Sequence, residues 1–88
     1  MRRLLEGLAG RLELPGEVLL DLPKVTLIGE LQVLIENHRG VIEYTAERVR
    51  VATARGELAV VGRRLRIGSI FESELVIEGR IAGIELKG

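Results

Sequence analysis

The sequence predicts a mainly β protein: a small antiparallel β-meander or roll carrying a short amphipathic helix at its N-terminus. Three observations lead there. From Lys24 onward β-branched residues become dense and alternate with charged ones. The connections between the alternating runs are too short for parallel crossovers, which need about a dozen residues or more. Proline does not recur after Pro23, while glycines punctuate the runs. A parallel β-solenoid is the alternative, because short strands broken by glycines also fit that plan, but the spacing drifts.

Taken in order, the first segment places Leu4, Leu5, Leu8 and Leu12 on one side at helical spacing, with Arg3, Glu6 and Arg11 elsewhere. Gly7 and Gly10 weaken this helix, and Pro15-Gly16 ends it, so it must dock on something to persist. The chain therefore divides into an N-terminal amphipathic helix over 1–14 and a single β domain over 15–88. Glu17 to Leu22 forms an extended approach or a single turn, and Pro23 biases Leu22 toward extended geometry. The odd-numbered apolar series Val25, Leu27, Leu31, Val33, Ile35 reads as one strand, the polar run from Glu36 to Gly40 as a tight corner, and Val41 to Tyr44 as the next strand.

Further on, the pairs Val49 and Val51, Leu58 and Val60, and Leu65 and Ile67 each imply one buried and one wet face. Glu57 to Arg63 repeats as Glu74 to Arg80, which reads as two similar hairpins reversing at their Gly-Arg dipeptides. Gly83, with Ile81 out of phase with Ile84 and Leu86, suggests a bulge.

At 88 residues the chain is one domain near the lower limit of self-sufficient burial, so extra burial in a homodimer is physically useful. Formal net charge is zero, giving no long-range field to concentrate nucleic acid or an anionic membrane. With no cysteine there are no disulfides, thiolate metal sites or cysteine nucleophile, which is compatible with a reducing cytoplasm. The opening Met1-Arg2-Arg3-Leu4-Leu5 faintly resembles a signal peptide, but Glu6 and Arg11 interrupt the apolar run before it could span a bilayer. No direct membrane insertion is expected.

The candidate site is the corner itself: Glu36, Asn37, His38, Arg39 and Gly40. His38 is the only histidine and could serve as a base or ligand, yet consecutive turn residues point apart and no second histidine or cysteine completes a metal set. A structural turn is the expected role, with partner binding as the functional one. Arg48, Arg50, Arg55, Arg63, Arg64, Arg66 and Arg80 could form a basic patch for nucleic acid, but the aromatic platforms that single-strand binders interleave are reduced to Tyr44 and Phe71. Glu43, Glu47, Glu57, Glu74, Glu78 and Glu85 could instead pair with those arginines across strands. No phosphate loop, dinucleotide fingerprint, serine elbow or zinc-peptidase motif occurs, so no enzyme and no cofactor are expected. The N-terminal quarter carries more leucine and valine than a lone helix needs, and these side chains must cover either the same sheet or a partner.

Leu14-Pro15, Asp21-Leu22-Pro23, Val25 to Gly29, Glu36-Asn37-His38-Arg39-Gly40 and Val41 to Tyr44, continued by Gly62-Arg63 and Glu74 to Gly79, resemble the YqfC branch of the YabP/YqfC sporulation protein family from about residue 12 to residue 86. The resemblance implies a non-enzymatic structural or scaffold role in endospore formation, in spore coat and cortex assembly. It implies a small β-rich homodimer in the mother-cell cytoplasm, held peripherally at the forespore membrane by a membrane-bound partner similar to YqfD. It carries over no catalytic residues. The alternative function is a nucleic-acid-binding module using the arginine-rich strands.

Overall fold

The computed structural model describes residues 21–88. The helix expected over 1–14, and the part of the approach read from Glu17 to Leu22 that precedes Asp21, lie outside the described residues. Within them are six strands: β1 (Lys24–Ile28), β2 (Gln32–Glu36), β3 (Val41–Tyr44), β4 (Arg48–Thr53), β5 (Gly56–Phe71) and β6 (Glu74–Lys87). All pair antiparallel in one sheet ordered β1-β2-β6-β5-β4-β3. Strands β3 to β6 form a meander, and the β1–β2 hairpin joins the far side of β6. Antiparallel ladders throughout exclude the solenoid alternative.

Two local expectations are corrected. The series from Val25 to Ile35 is not one strand, because Gly29 adopts φ 58 and the chain reverses, pairing Val25 with Ile35 and Leu27 with Val33. Nor do the Gly-Arg dipeptides turn two separate hairpins. Glu57 to Arg63 and Glu74 to Arg80 are opposite arms of one hairpin, with Arg63 facing Arg80 and the reversal at Glu72-Ser73. The bulge near Gly83 is present: Val61 pairs with Gly83 and Gly62 with Ile81, leaving Ala82 unopposed.

Both long strands bend. Sixteen residues of straight strand would span about 53 Å at about 3.3 Å each, more than the longest dimension of 38 Å. The bend falls at Gly62–Arg64 and Gly79–Ile81, where the register shifts and Arg64 takes the left-handed conformation at φ 54. It divides the sheet into two halves. The first contains β1, β2, the start of β6 and the end of β5; the second contains β3, β4, the start of β5 and the end of β6.

Their inner faces meet. Val33 and Ile35 of β2, Val49 and Val51 of β4, Leu58 and Val60 of β5, and Leu75 and Ile77 of β6 are all fully buried in one cluster, which a flat single layer could not achieve.

The halves are related by an approximate two-fold. Val33 and Ile35 of β2 correspond to Val49 and Val51 of β4, and Val25 opposite Ile35 corresponds to Val41 opposite Val51. Each hairpin turn plugs into one bend. Gly79 and Ile81 donate backbone bonds to Leu31 and Glu30 (3.1 and 2.8 Å), while Gly62 and Leu65 donate to Glu47 and Ala46 (3.0 and 2.8 Å).

Close backbone approach at the bend leaves no room for a side chain. A Cβ on Gly79, which has φ 140, would lie 2.5 Å from the Arg64 carbonyl oxygen, whereas one on Gly83 meets only Val61 Cγ2 at 3.6 Å. Gly79→Ala is therefore expected to lose roughly 2–4 kcal/mol in denaturant unfolding and Gly83→Ala less than about 1 kcal/mol. Equal losses would refute this account of the bend.

Candidate functional site

The link between β2 and β3 carries the chain from one half of the sheet to the other; it contains Asn37, His38, Arg39 and Gly40 of the predicted corner, while Glu36 is the last residue of β2. Its backbone is tied at both ends. Asn37 and His38 donate to the Ser73 carbonyl (2.8 and 3.2 Å); Arg39 donates to the Ala52 carbonyl, and Ala52 donates back to Gly40 (both 2.8 Å). Asn37 sits at φ 69, a left-handed conformation that asparagine tolerates better than most residues.

The side chains reach back to the point where the N-terminal segment enters. Asn37 Nδ2 donates to Asp21 Oδ1 (3.0 Å) and to the Leu22 carbonyl (2.9 Å), and the Arg39 guanidinium forms an ion pair with Asp21. Asp-Leu-Pro and Glu-Asn-His-Arg-Gly, distant in sequence, thus make one clasp. His38 is packed under it, 5% exposed, and its Nδ1 accepts the Gly40 amide proton at 2.9 Å. An accepting nitrogen carries no hydrogen, so the ring proton of neutral His38 lies on Nε2, which is buried and has no hydrogen-bond partner among the described residues. Glu36 stands opposite Lys24 on one side and Glu74 on the other.

Several of the arginines grip carboxylates across the strands. Arg50 grips Glu57 through two bonds (2.8 and 3.0 Å) and Glu43 through a third (3.1 Å); Arg66 pairs with Glu78 at 2.8 Å and Arg48 with Glu85 at 3.7 Å. Hydrogen bonding to Glu57, then to Glu43, pushes Arg50 above the ordinary arginine range, and the Arg50 bonds hold Glu57 below the ordinary glutamate value. Arg64 and Arg80 are exposed at the bend and line an open groove with Arg66, Glu78 and Leu31.

Sequence reading did not single out the contrast between the two outer faces. On the second half the outward row runs Glu43, Arg50, Ala59, Glu85. The corresponding row on the first half is Thr26, Leu34, Val76, Ser69, with no charge in it. Exposed Ile28 (53%) and Phe71 (66%) stand in the flanking outward rows, the first with Gln32, Glu78 and Arg66 and the second with Glu74, Glu36 and Lys24. The available signal was the likeness of Gln32-Val33-Leu34-Ile35 to Arg48-Val49-Arg50-Val51, which exchanges a leucine for an arginine at the outward position.

Among the described residues, no group of three or more histidine, cysteine, aspartate or glutamate side chains could hold a metal ion, and no helix is long and apolar enough to cross a membrane.

These features define a class: a small two-fold-repeated antiparallel β domain, bent over its own core, whose outer face has a charged central row on one half and an uncharged central row on the other. The YabP family model matches residues 21–88, and the chain belongs to that family. It is 35% identical over 79 residues to a Bacillus subtilis (strain 168) protein described as uncharacterized protein YqfC, an alignment covering 90% of this chain and 85% of that one. No solved structure matches.

Two measurements check the clasp and the charged face. Asn37→Ala should lose about 1–2 kcal/mol and speed amide exchange at Leu22 and Lys24; Asn37→Gly, which relieves the backbone, should recover stability but not the protection. Because the folded-state carboxyl of Glu57 titrates below its unfolded value, its stabilising effect is present at neutral pH and is lost as pH falls through that lowered midpoint. A carboxyl NMR titration should show the low midpoint, and Arg50→Met should raise it toward the ordinary value.

Proposed function

We propose that this protein is a non-enzymatic scaffold of endospore formation, acting as a homodimer in spore coat and cortex assembly together with a membrane-bound sporulation partner. The observation that carries the reading is the uncharged central row on the outer face of the first half. Leu34 and Val76 form its centre, Thr26 and Ser69 flank them, and charges such as Lys24, Glu74, Arg66 and Glu78 lie at the margin. An apolar centre with a polar rim is the anatomy of a protein interface, and two such faces related by a two-fold axis are self-complementary. Family membership supports the biological setting. The Glu36 to Gly40 corner, with Arg39 and Asp21 each about half exposed, is the surface left for the membrane-bound partner.

A second reading rests on Arg64 and Arg80, which have no carboxylate partner among the described residues. In that reading the bend binds an anionic polymer. Retention on heparin that collapses with salt, and that Arg64→Ala with Arg80→Ala abolishes, is its signature.

Sedimentation across micromolar concentrations is expected to give a mass rising toward twice the monomer. Leu34→Lys, on an outward position, should leave the fold intact and weaken association at least tenfold, about 1.4 kcal/mol. Affinity capture from sporulating cells should recover a membrane protein with the wild-type chain. A strictly monomeric species would refute the dimer, and a membrane fraction yielding no partner would refute the scaffold role.

A further inference from the structure

The fold leaves two strand edges facing each other across an apolar seam. β1 pairs only with β2, so its outward edge from Val25 to Ile28 has no strand on it among the described residues. β6 meets β2 only from Glu74 to Glu78, so the same edge of its last residues, from Ala82 to Lys87, is likewise unpaired. Leu22, Pro23, Val25 and Leu86 line one end of the space between them, and Leu27, Ile81 and Ile84 line the other.

This seam is an opening in the core, not ordinary surface. Leu27 stands opposite Val33 and Leu86 opposite Leu58, both fully buried, so both leucines point to the core side of the sheet. They are nevertheless 53% and 73% exposed. The related position in the second half is filled differently. Tyr44, opposite Val49 as Leu27 is opposite Val33, accepts the Ile67 amide proton on its hydroxyl at 3.1 Å and so bridges its own seam. Leucine has no atom that can do this.

We propose that residues 4–20 of the same chain seat their leucines in this seam and complete the core. The chain enters at one end of it. Asp21 has φ 58 and is held by Asn37 and Arg39, and the next two residues, Leu22 and Pro23, already line the opening. Upstream lie Leu4, Leu5, Leu8 and Leu12 at helical spacing, followed by Val18, Leu19 and Leu20. Twenty residues reach about 30 Å even as a helix, enough to run along the seam of a domain 38 Å long. Connection through Asp21 gives this segment an effective concentration that no separate molecule matches. β1 also lacks the bulge between Val41 and Glu43 that guards β3, so its edge needs a cover.

The absence of cysteine makes the test clean. A nitroxide is attached to Gly10→Cys in the full-length, isotope-enriched chain, and relaxation broadening is read at the amides of Leu27, Ile84 and Leu86. Broadening there by tenfold or more is expected, with none when labelled unenriched chain is mixed with unlabelled enriched chain. Leu8→Ser with Leu12→Ser should abolish the effect while Val33 and Ile77 keep their shifts. No broadening at the seam, or broadening only in the mixed sample, overturns the proposal; the sedimentation result is independent of either outcome.

Discussion

The constraint on which the structure depends is the crossing of two backbones at the bend of β5 and β6. A six-stranded sheet has one apolar face, and a domain this small has no second layer among its described residues to cover it. The sheet therefore covers itself. That requires the two long strands to approach at Gly62 and Gly79 more closely than any Cβ permits: at Gly62 it would lie 2.0 Å from the Arg80 carbonyl oxygen. The burial of Val33, Ile35, Val49, Val51, Leu58, Val60, Leu75 and Ile77, each contributing about 1.5–3 kcal/mol of transfer free energy, follows from that approach. So does the seating of both hairpin turns, whose carbonyls accept the amide protons that the bend frees from the ladder.

Given a bent sheet with two related halves, the chain must pass from one to the other once, between β2 and β3. A short link at that point needs sharp backbone angles and lies outside the ladders, so the Ser73 carbonyl in the β5–β6 turn, the Ala52 carbonyl of β4 and the His38 side chain accept its amide protons. This accounts for the dense polar chemistry from Glu36 to Gly40. Asn37 supplies the left-handed residue and fastens Asp21; Gly40 takes φ 127; His38 fills the space beneath and accepts the Gly40 amide proton.

Strand positions were legible because burial on one face imposes alternation, and Val49 with Val51, Leu58 with Val60 and Leu65 with Ile67 all lie in or against the core as that pattern requires. The reversal at Gly29 was not legible because the turn preserves phase: Val25 and Ile35 pair directly, so the odd-numbered residues stay on the core side through it. The bends were misread for a different reason. A glycine needed for close approach and one needed for a turn look the same in sequence, while the actual turn, Glu72-Ser73, contains neither glycine nor proline. The corner was found as a polar cluster, but Asp21, Ser73 and Ala52, which give its residues their work, are remote along the chain and adjacent only in space.

The two-fold relation also makes the differences between the halves informative, since positions with the same backbone environment carry different chemistry. Where the second half places Arg50 between Glu43 and Glu57, the first places Leu34 between Thr26 and Val76. Where the second half closes its seam with the Tyr44 hydroxyl, the first leaves Leu27 against an open cleft. Both changes run the same way, replacing groups that are content in water with groups that are not. Backbone geometry alone would have served equally well with charges in both halves. The apolar choice in one half is a property the sheet does not require: along its seam it points to the rest of the chain, and in the central row of its outer face to another molecule.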